Sequence, residues 1–132
     1  PEISEIVSEY ASIPEVRAKL VNLQRKMSEK YDVIMDGRDI GTVVLKNSKF
    51  KFFLTATPEE RARRRFIELV NRGLDVSYDK LLEDIIKRDY IDSNREVDPL
   101  RKADDAIEID SSNYNINEVT EIICNFIENA LQ

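Results

Sequence analysis

Apolar positions recur along the chain with two periods, and each marks an element. Ile3, Ile6, Val7 and Tyr10 fall three and four residues apart, the stripe of a short amphipathic helix over residues 2–11. Ile13-Pro14 restarts the chain, and Val16, Leu20, Leu23 and Met27 continue one helical face to about Lys30. Val33-Ile34-Met35 is a short apolar run that empties into Asp36-Gly37-Arg38-Asp39, which predicts a buried strand followed by a polar loop. A second strand is predicted over Phe50 to Ala56, where Thr57-Pro58-Glu59-Glu60 then offers a cap, a first-turn proline and a returning glutamate in capping-box order. The helix so started carries Arg61, Arg63, Arg64, Arg65, Phe66, Leu69 and Val70 and stops near Gly73. Ser77 caps another, with Leu81, Leu82, Ile85 and Ile86 on its apolar face and Pro99 at its exit. Ala106 to Ile109 is a third strand, and Asn115 with Glu118 caps a last helix whose inner face is Ile116, Val119, Ile122, Ile123, Phe126 and Ile127. Strands alternating with helices predict an α/β fold, a parallel sheet covered on both sides.

Composition narrows the class. The chain has 132 residues, 42% apolar and 35% charged, the balance of one soluble globular domain. No apolar run reaches the length of a membrane span and no secretion-signal pattern opens the chain, so a cytoplasmic, membrane-free protein is expected. The single cysteine, Cys124, has no thiol neighbour and is expected to fill the core. A net charge of −6 argues against a nucleic-acid coat, which needs a broad excess of Lys and Arg. The absence of histidine removes the usual base that activates a serine or cysteine nucleophile. Phosphoryl transfer passes that filter, because it relies on Arg, Lys and a divalent cation to position charge.

Three constellations can carry such chemistry. In a parallel sheet, ligands bind beyond the C-terminal ends of the strands, where the Asp36-Gly37-Arg38-Asp39 loop is predicted to lie. Asp36, directly after an apolar run, is placed to hold Mg²⁺ directly or through water, although capping aspartates in a plain loop read the same way. Arg88, Asp92 and Arg95 stand at i, i+4 and i+7, positions that a helix of about 3.6 residues per turn stacks on one face. Two arginines flanking an aspartate can grip a phosphate and a sugar hydroxyl, and the same spacing also makes a salt-bridged, solvated face. Arg61, Arg64 and Arg65 share a side of their helix, again suited to a nucleotide or to solvent.

The order D-G-R-D-I-G-T, T-P-E-E-R-A-R-R-R and K-R-D-Y-I-D-S-N-R, with P-E-I-S at the start, resembles the bacterial cytidylate kinase family over nearly the full length of the chain. That resemblance implies a P-loop nucleoside monophosphate kinase fold and ATP-dependent phosphorylation of CMP and dCMP, with Mg²⁺ accompanying ATP and a monomeric complete enzyme. It assigns cytosine recognition to Ser8, Arg17 and Asp39, the CMP phosphate to Arg38, Arg88 and Arg95, and the ribose hydroxyls to Asp92. The catalytic arginines would be Arg38, Arg88 and Arg95, and the ATP side would draw on Arg61, Arg64 and Arg65. Within one partial kinase domain, it makes residues 1–30 the end of the CMP-binding helical region and 31–75 core strands and helix. Residues 76–100 are then the lid, and 101–132 the last core strand and C-terminal helix.

One part of the family pattern has no counterpart. Gly37, Gly41 and Gly73 are the three glycines, and none has the spacing of G-x-x-x-x-G-K-[ST], the loop that cradles the ATP phosphates. The chain opens on Pro1 rather than methionine, so a preceding segment carrying that loop and the central first strand of the sheet is expected. The family order puts that strand between the 33–36 and 50–56 strands, which are therefore expected to stand apart. Two further readings stay open: a kinase for AMP or UMP, and a non-catalytic binding module that keeps part of the kinase fold.

Overall fold

A computed structural model describes Tyr10 and residues 13–132. The predicted helix over 2–11 and Ser8 within it lie outside the described residues. In order, the elements are α1 (Pro14–Lys30), a single π-helical turn (Ile40–Val44), β1 (Phe52–Thr55), α2 (Pro58–Asn71), α3 (Tyr78–Asn94), β2 (Ile107–Asp110) and α4 (Ile116–Leu131). Contacts divide them into two compact units, one built of the residues up to Lys49 with Ile91–Asp104, the other of Phe50–Tyr90 with Asp105–Gln132.

The second unit holds the sheet. β1 and β2 pair in parallel, Phe52 opposite Ile107 and Leu54 opposite Ile109. The ladder is continued at both ends, by Ile107 N–H donating to the Lys51 carbonyl at 2.9 Å and Ser111 N–H to the Thr55 carbonyl at 2.7 Å. Its core is small: Ala62 of α2 and Ile109 of β2 are buried, and Phe52 meets Phe126 of α4 with ring centroids 6.3 Å apart. Lys51 is nearly buried, and its ammonium reaches the Asp105 carboxylate at 2.7 Å. This pairing ties the entry of β1 to the segment that precedes β2.

Helix ends follow the sequence closely. Gly73 takes φ 76, and Leu74 N–H donates back to the Leu69 carbonyl, closing α2 as the glycine predicts. Asn115 and Glu118 form a complete capping box at the start of α4. The box expected at Thr57 is only half made. Its hydroxyl accepts from Glu60 N–H at 3.2 Å, but Thr57 N–H donates to Ser112 Oγ. The Glu60 carboxylate turns instead to Arg63 and Arg64. Those guanidiniums, Arg63 foremost, hold its carboxyl down at a pKa of about 2.

Three further expectations are corrected. Residues 33–36 join no ladder among the described residues, so the sheet has two strands and the segment is irregular. Apolar character favours burial, but a strand also needs a backbone partner, and Ile34 is fully exposed. On α1 the stripe of Leu20, Leu23 and Met27 is exposed, while Arg17 and Val21 are buried. The helix turns inward the face on which Arg17 finds carboxylates. Cys124 is exposed, because α4 directs Val119, Ile122, Ile123 and Ile127 toward partial cover and leaves Cys124 off that face.

Candidate functional site

The first unit has an unusual interior. Among the described residues, its buried ones are Val21 and Val44 together with Arg17, Asp39 and Asp92, so charge occupies space that a small domain normally gives to hydrocarbon. Burying charge is favourable only where partners surround it, and here they do.

The loop after residues 33–36 sets the first partner. Gly37 permits a tight passage, since a Cβ there would stand 2.9 Å from Ile40 Cγ1. The Asp39 carbonyl then accepts from Val43 N–H at 2.8 Å and Val44 N–H at 3.2 Å, anchoring the π-helical turn. Leu45 N–H closes the turn on the Ile40 carbonyl at 2.7 Å. At the far end of the turn Arg25 of α1 donates through Nε to the Val44 carbonyl at 3.0 Å and through Nη2 to the Val43 carbonyl at 2.5 Å. With its backbone fixed, Asp39 presents its carboxylate to Arg17, whose Nη2 donates to Asp39 Oδ2. This is a buried ion pair, 10% and 7% of the two side chains being exposed.

Arg17 has a second acid partner. Its Nε donates to Asp98 Oδ2 at 3.0 Å, so two carboxylates 59 positions apart in sequence grip one edge of the guanidinium. Asp98 stands directly before Pro99 with φ 48, a left-handed conformation that only Gly adopts freely and Asp tolerates at roughly 1 kcal/mol. That turn aims the Asp98 carbonyl at Arg95, which donates from Nε at 2.6 Å and from Nη2. Leu100 N–H then returns to the Asp92 carbonyl at 2.7 Å, folding the 95–100 segment back on the end of α3. Asp92 is buried, and its carboxylate accepts from Arg38 Nε at 2.8 Å. Arg17, Arg38, Asp39, Asp92, Arg95 and Asp98 therefore form two linked chains of charge-assisted bonds within one unit.

Other expected positions fall elsewhere. α3 ends at Asn94, so Arg95 does not continue a helical face with Arg88 and Asp92. The i+7 spacing presumed a helix that the turn toward Pro99 interrupts. Arg88 lies half-buried on α3 within the second unit. In that unit Arg61 pairs with Asp89, Arg64 with Glu60 and the Ser111 hydroxyl, and Arg65 with Glu68. The hydrogen bond to Asp89 raises the Arg61 pKa further. Asp36 is exposed beside an open depression of about 480 Å³ lined by Gln24, Met27 and residues 32–36. No cluster of three acids or cysteines able to hold a metal occurs among the described residues. A single exposed carboxylate fits an ion that arrives on a nucleotide and keeps most of its water, not a protein cage. No helix among the described residues is long and apolar enough to cross a membrane.

Two residues of this network had no role in the sequence reading, Arg25 and Asp98. The only signal for Asp98 is its place before a proline, where a chain commonly turns.

The sequence profile of the cytidylate kinases matches residues 1–129. The chain belongs to the cytidylate kinase family. A cytidylate kinase of Clostridium perfringens is 67% identical over 97% of this chain, and one of Clostridium acetobutylicum is 62% identical over 99%. A third, from Clostridium tetani, is 58% identical over 99% of the chain. The chain spans 59% of the length of the first of these relatives and 60% of the second. The resemblance carried by the motifs to the cytidylate kinase family thus holds over nearly the whole chain.

Proposed function

We propose that the first unit forms the acceptor-nucleotide site of an enzyme that passes the γ-phosphoryl of ATP to CMP, and to dCMP. The Arg17–Asp39 pair carries this reading, because a buried donor beside a buried acceptor matches the edge of cytosine. Cytosine offers an amino donor at N4 and acceptors at N3 and O2, which suit a carboxylate and a guanidinium. Uracil presents an acceptor at position 4 and a donor at N3, which would face the wrong partners. Each group left unsatisfied costs roughly 1–3 kcal/mol, enough for selectivity from the site alone.

The neighbouring pairs fit the rest of a nucleoside monophosphate. Arg38 and Arg95 are held at one edge by Asp92 and by the Asp98 carbonyl, so orienting either toward a phosphate needs little further ordering. Asp92 retains acceptor capacity for a ribose hydroxyl while holding Arg38. The roles of Ser8, Arg88, Arg61, Arg64 and Arg65 rest on the family motifs. Asp36 would hold, through water, a magnesium ion accompanying ATP, which would supply charge to neutralise the phosphates.

A polypeptide of these 132 residues alone, without G-x-x-x-x-G-K-[ST], should form no CDP from CMP and ATP above the uncatalysed background. A coupled assay reads this directly, set beside the same assay on the complete protein. CDP formation by the complete protein supports the proposal, and robust turnover by the 132-residue chain would overturn the division of labour it assumes.

A further inference from the structure

Asp98 makes two contacts of different kinds with two different arginines. Its side-chain carboxylate receives Arg17 Nε at 3.0 Å, and its main-chain carbonyl receives Arg95 Nε at 2.6 Å. The first arginine is the one paired with Asp39 in the interior, and the second is the one that leaves the end of α3. Asp98 makes both contacts from one left-handed backbone conformation. At φ 48 the carbonyl and the side chain of Asp98 are aimed at separate targets, and Leu100 N–H on the Asp92 carbonyl holds the following residues in place.

We propose that Asp98 is a positioning residue for the acceptor nucleotide, its carboxylate setting the Arg17 guanidinium for the base and its carbonyl setting Arg95 for the phosphate. The inference rests on the acceptor-site reading given above. A guanidinium paired with Asp39 alone can pivot about that contact. With Asp98 on Nε as well, the plane of Arg17 is fixed by two points, and its remaining N–H groups have a defined direction. Arg95 is held along its Nε and Nη2 edge by one carbonyl oxygen, which leaves the opposite edge to face an anion. Because one residue performs both tasks, ordering around the base and ordering around the phosphate share a common support.

The two contacts separate by substitution. Asp98→Gly removes the carboxylate and keeps both the carbonyl and the freedom to adopt positive φ. Asp98→Asn keeps the shape and removes the charge. Asp98→Val removes the carboxylate and also resists the left-handed backbone. Steady-state kinetics of the complete protein with CMP, UMP and ATP is the test. The Gly and Asn variants should raise KM for CMP about tenfold, the scale of one charge-assisted hydrogen bond, with the loss on KM rather than kcat. Their preference for CMP over UMP should fall by a similar factor, while KM for ATP stays put. The Val variant should lose kcat as well, because Arg95 is released. If the Gly and Asn variants keep the parent KM for CMP and the parent preference, the role of Asp98 is overturned. A KM for ATP that rises in parallel overturns it too, since that marks a general folding defect. A parent protein with no preference for CMP overturns the acceptor-site reading itself, and this inference with it.

Discussion

Replacing Asp39 with alanine should lower the stability of the complete protein by about 3 kcal/mol and reduce its preference for CMP over UMP by about a hundredfold. The stability loss follows from what remains. Arg17 is buried, and without Asp39 its guanidinium keeps, among the described residues, the partly exposed Asp98 carboxylate. Breaking one partner from a buried pair costs about 3–5 kcal/mol, and the surviving contact puts this case at the lower end. The selectivity loss has a separate origin. Asp39 is the acceptor proposed to face the cytosine amino group, and it also steers the Arg17 donor through Nη2. Two recognition contacts then fail together, each worth one to two powers of ten. Chemical denaturation gives the first number and kcat/KM ratios the second. Asp39→Asn separates them, since an amide keeps a hydrogen-bonding group near Arg17 but presents no charge. An Asp39→Ala protein with parent selectivity would favour a kinase for a different nucleotide.

Arg95→Met should cut kcat for CMP by about 10³ while leaving KM for ATP nearly unchanged, by analogy with arginines that stabilise a transferring phosphoryl group. Methionine keeps much of the apolar stem, so the change isolates the guanidinium. Arg95→Lys should recover little. An ammonium cannot lie along the Asp98 carbonyl through two donors and still present a flat second edge to phosphate. Stability should change little in either variant, because Arg95 is only partly buried and its main partner is a carbonyl, not a charge. Stopped-flow turnover under saturating nucleotide distinguishes the loss of chemistry from a loss of binding. A kcat within threefold of the parent would remove Arg95 from the reacting centre.

The helices were legible in the sequence because their signals are local. Thr57, Ser77, Gly73 and the Asn115–Glu118 box each act within a turn, and each lies where the caps predict. β1 and β2 were legible for a similar reason, as aromatic and β-branched runs bounded by polar residues. What the pattern missed depends on distant partners. Leu20, Leu23 and Met27 make the better apolar stripe on α1, yet Arg17 is buried beside Val21, because Asp39 and Asp98 come to meet it. Periodicity counts hydrocarbon and is blind to a charge that brings its own neutralising partners. Val33-Ile34-Met35 has the composition of a strand, but composition supplies no neighbour to pair with.

The site divides the same way. D-G-R-D marks its loop in the sequence, and the structure shows how the loop is held: the Asp39 carbonyl anchors a π-helical turn while its carboxylate pairs inward. The spacing of Arg88, Asp92 and Arg95 put all three on one helical face, and the helix stops at Asn94, before Arg95. The turn that stops it is what brings Asp98 to Arg17 and Arg95, and nothing in helical spacing could show this.

In the proposed acceptor site, the buried Arg17–Asp39 pair selects cytosine on a nucleoside monophosphate. Calorimetric titration of the complete protein with CMP and, separately, with UMP tests it most directly. CMP should bind about a hundredfold more tightly than UMP, the consequence of two recognition contacts that uracil cannot satisfy. Equal affinity for the two nucleotides would contradict the account.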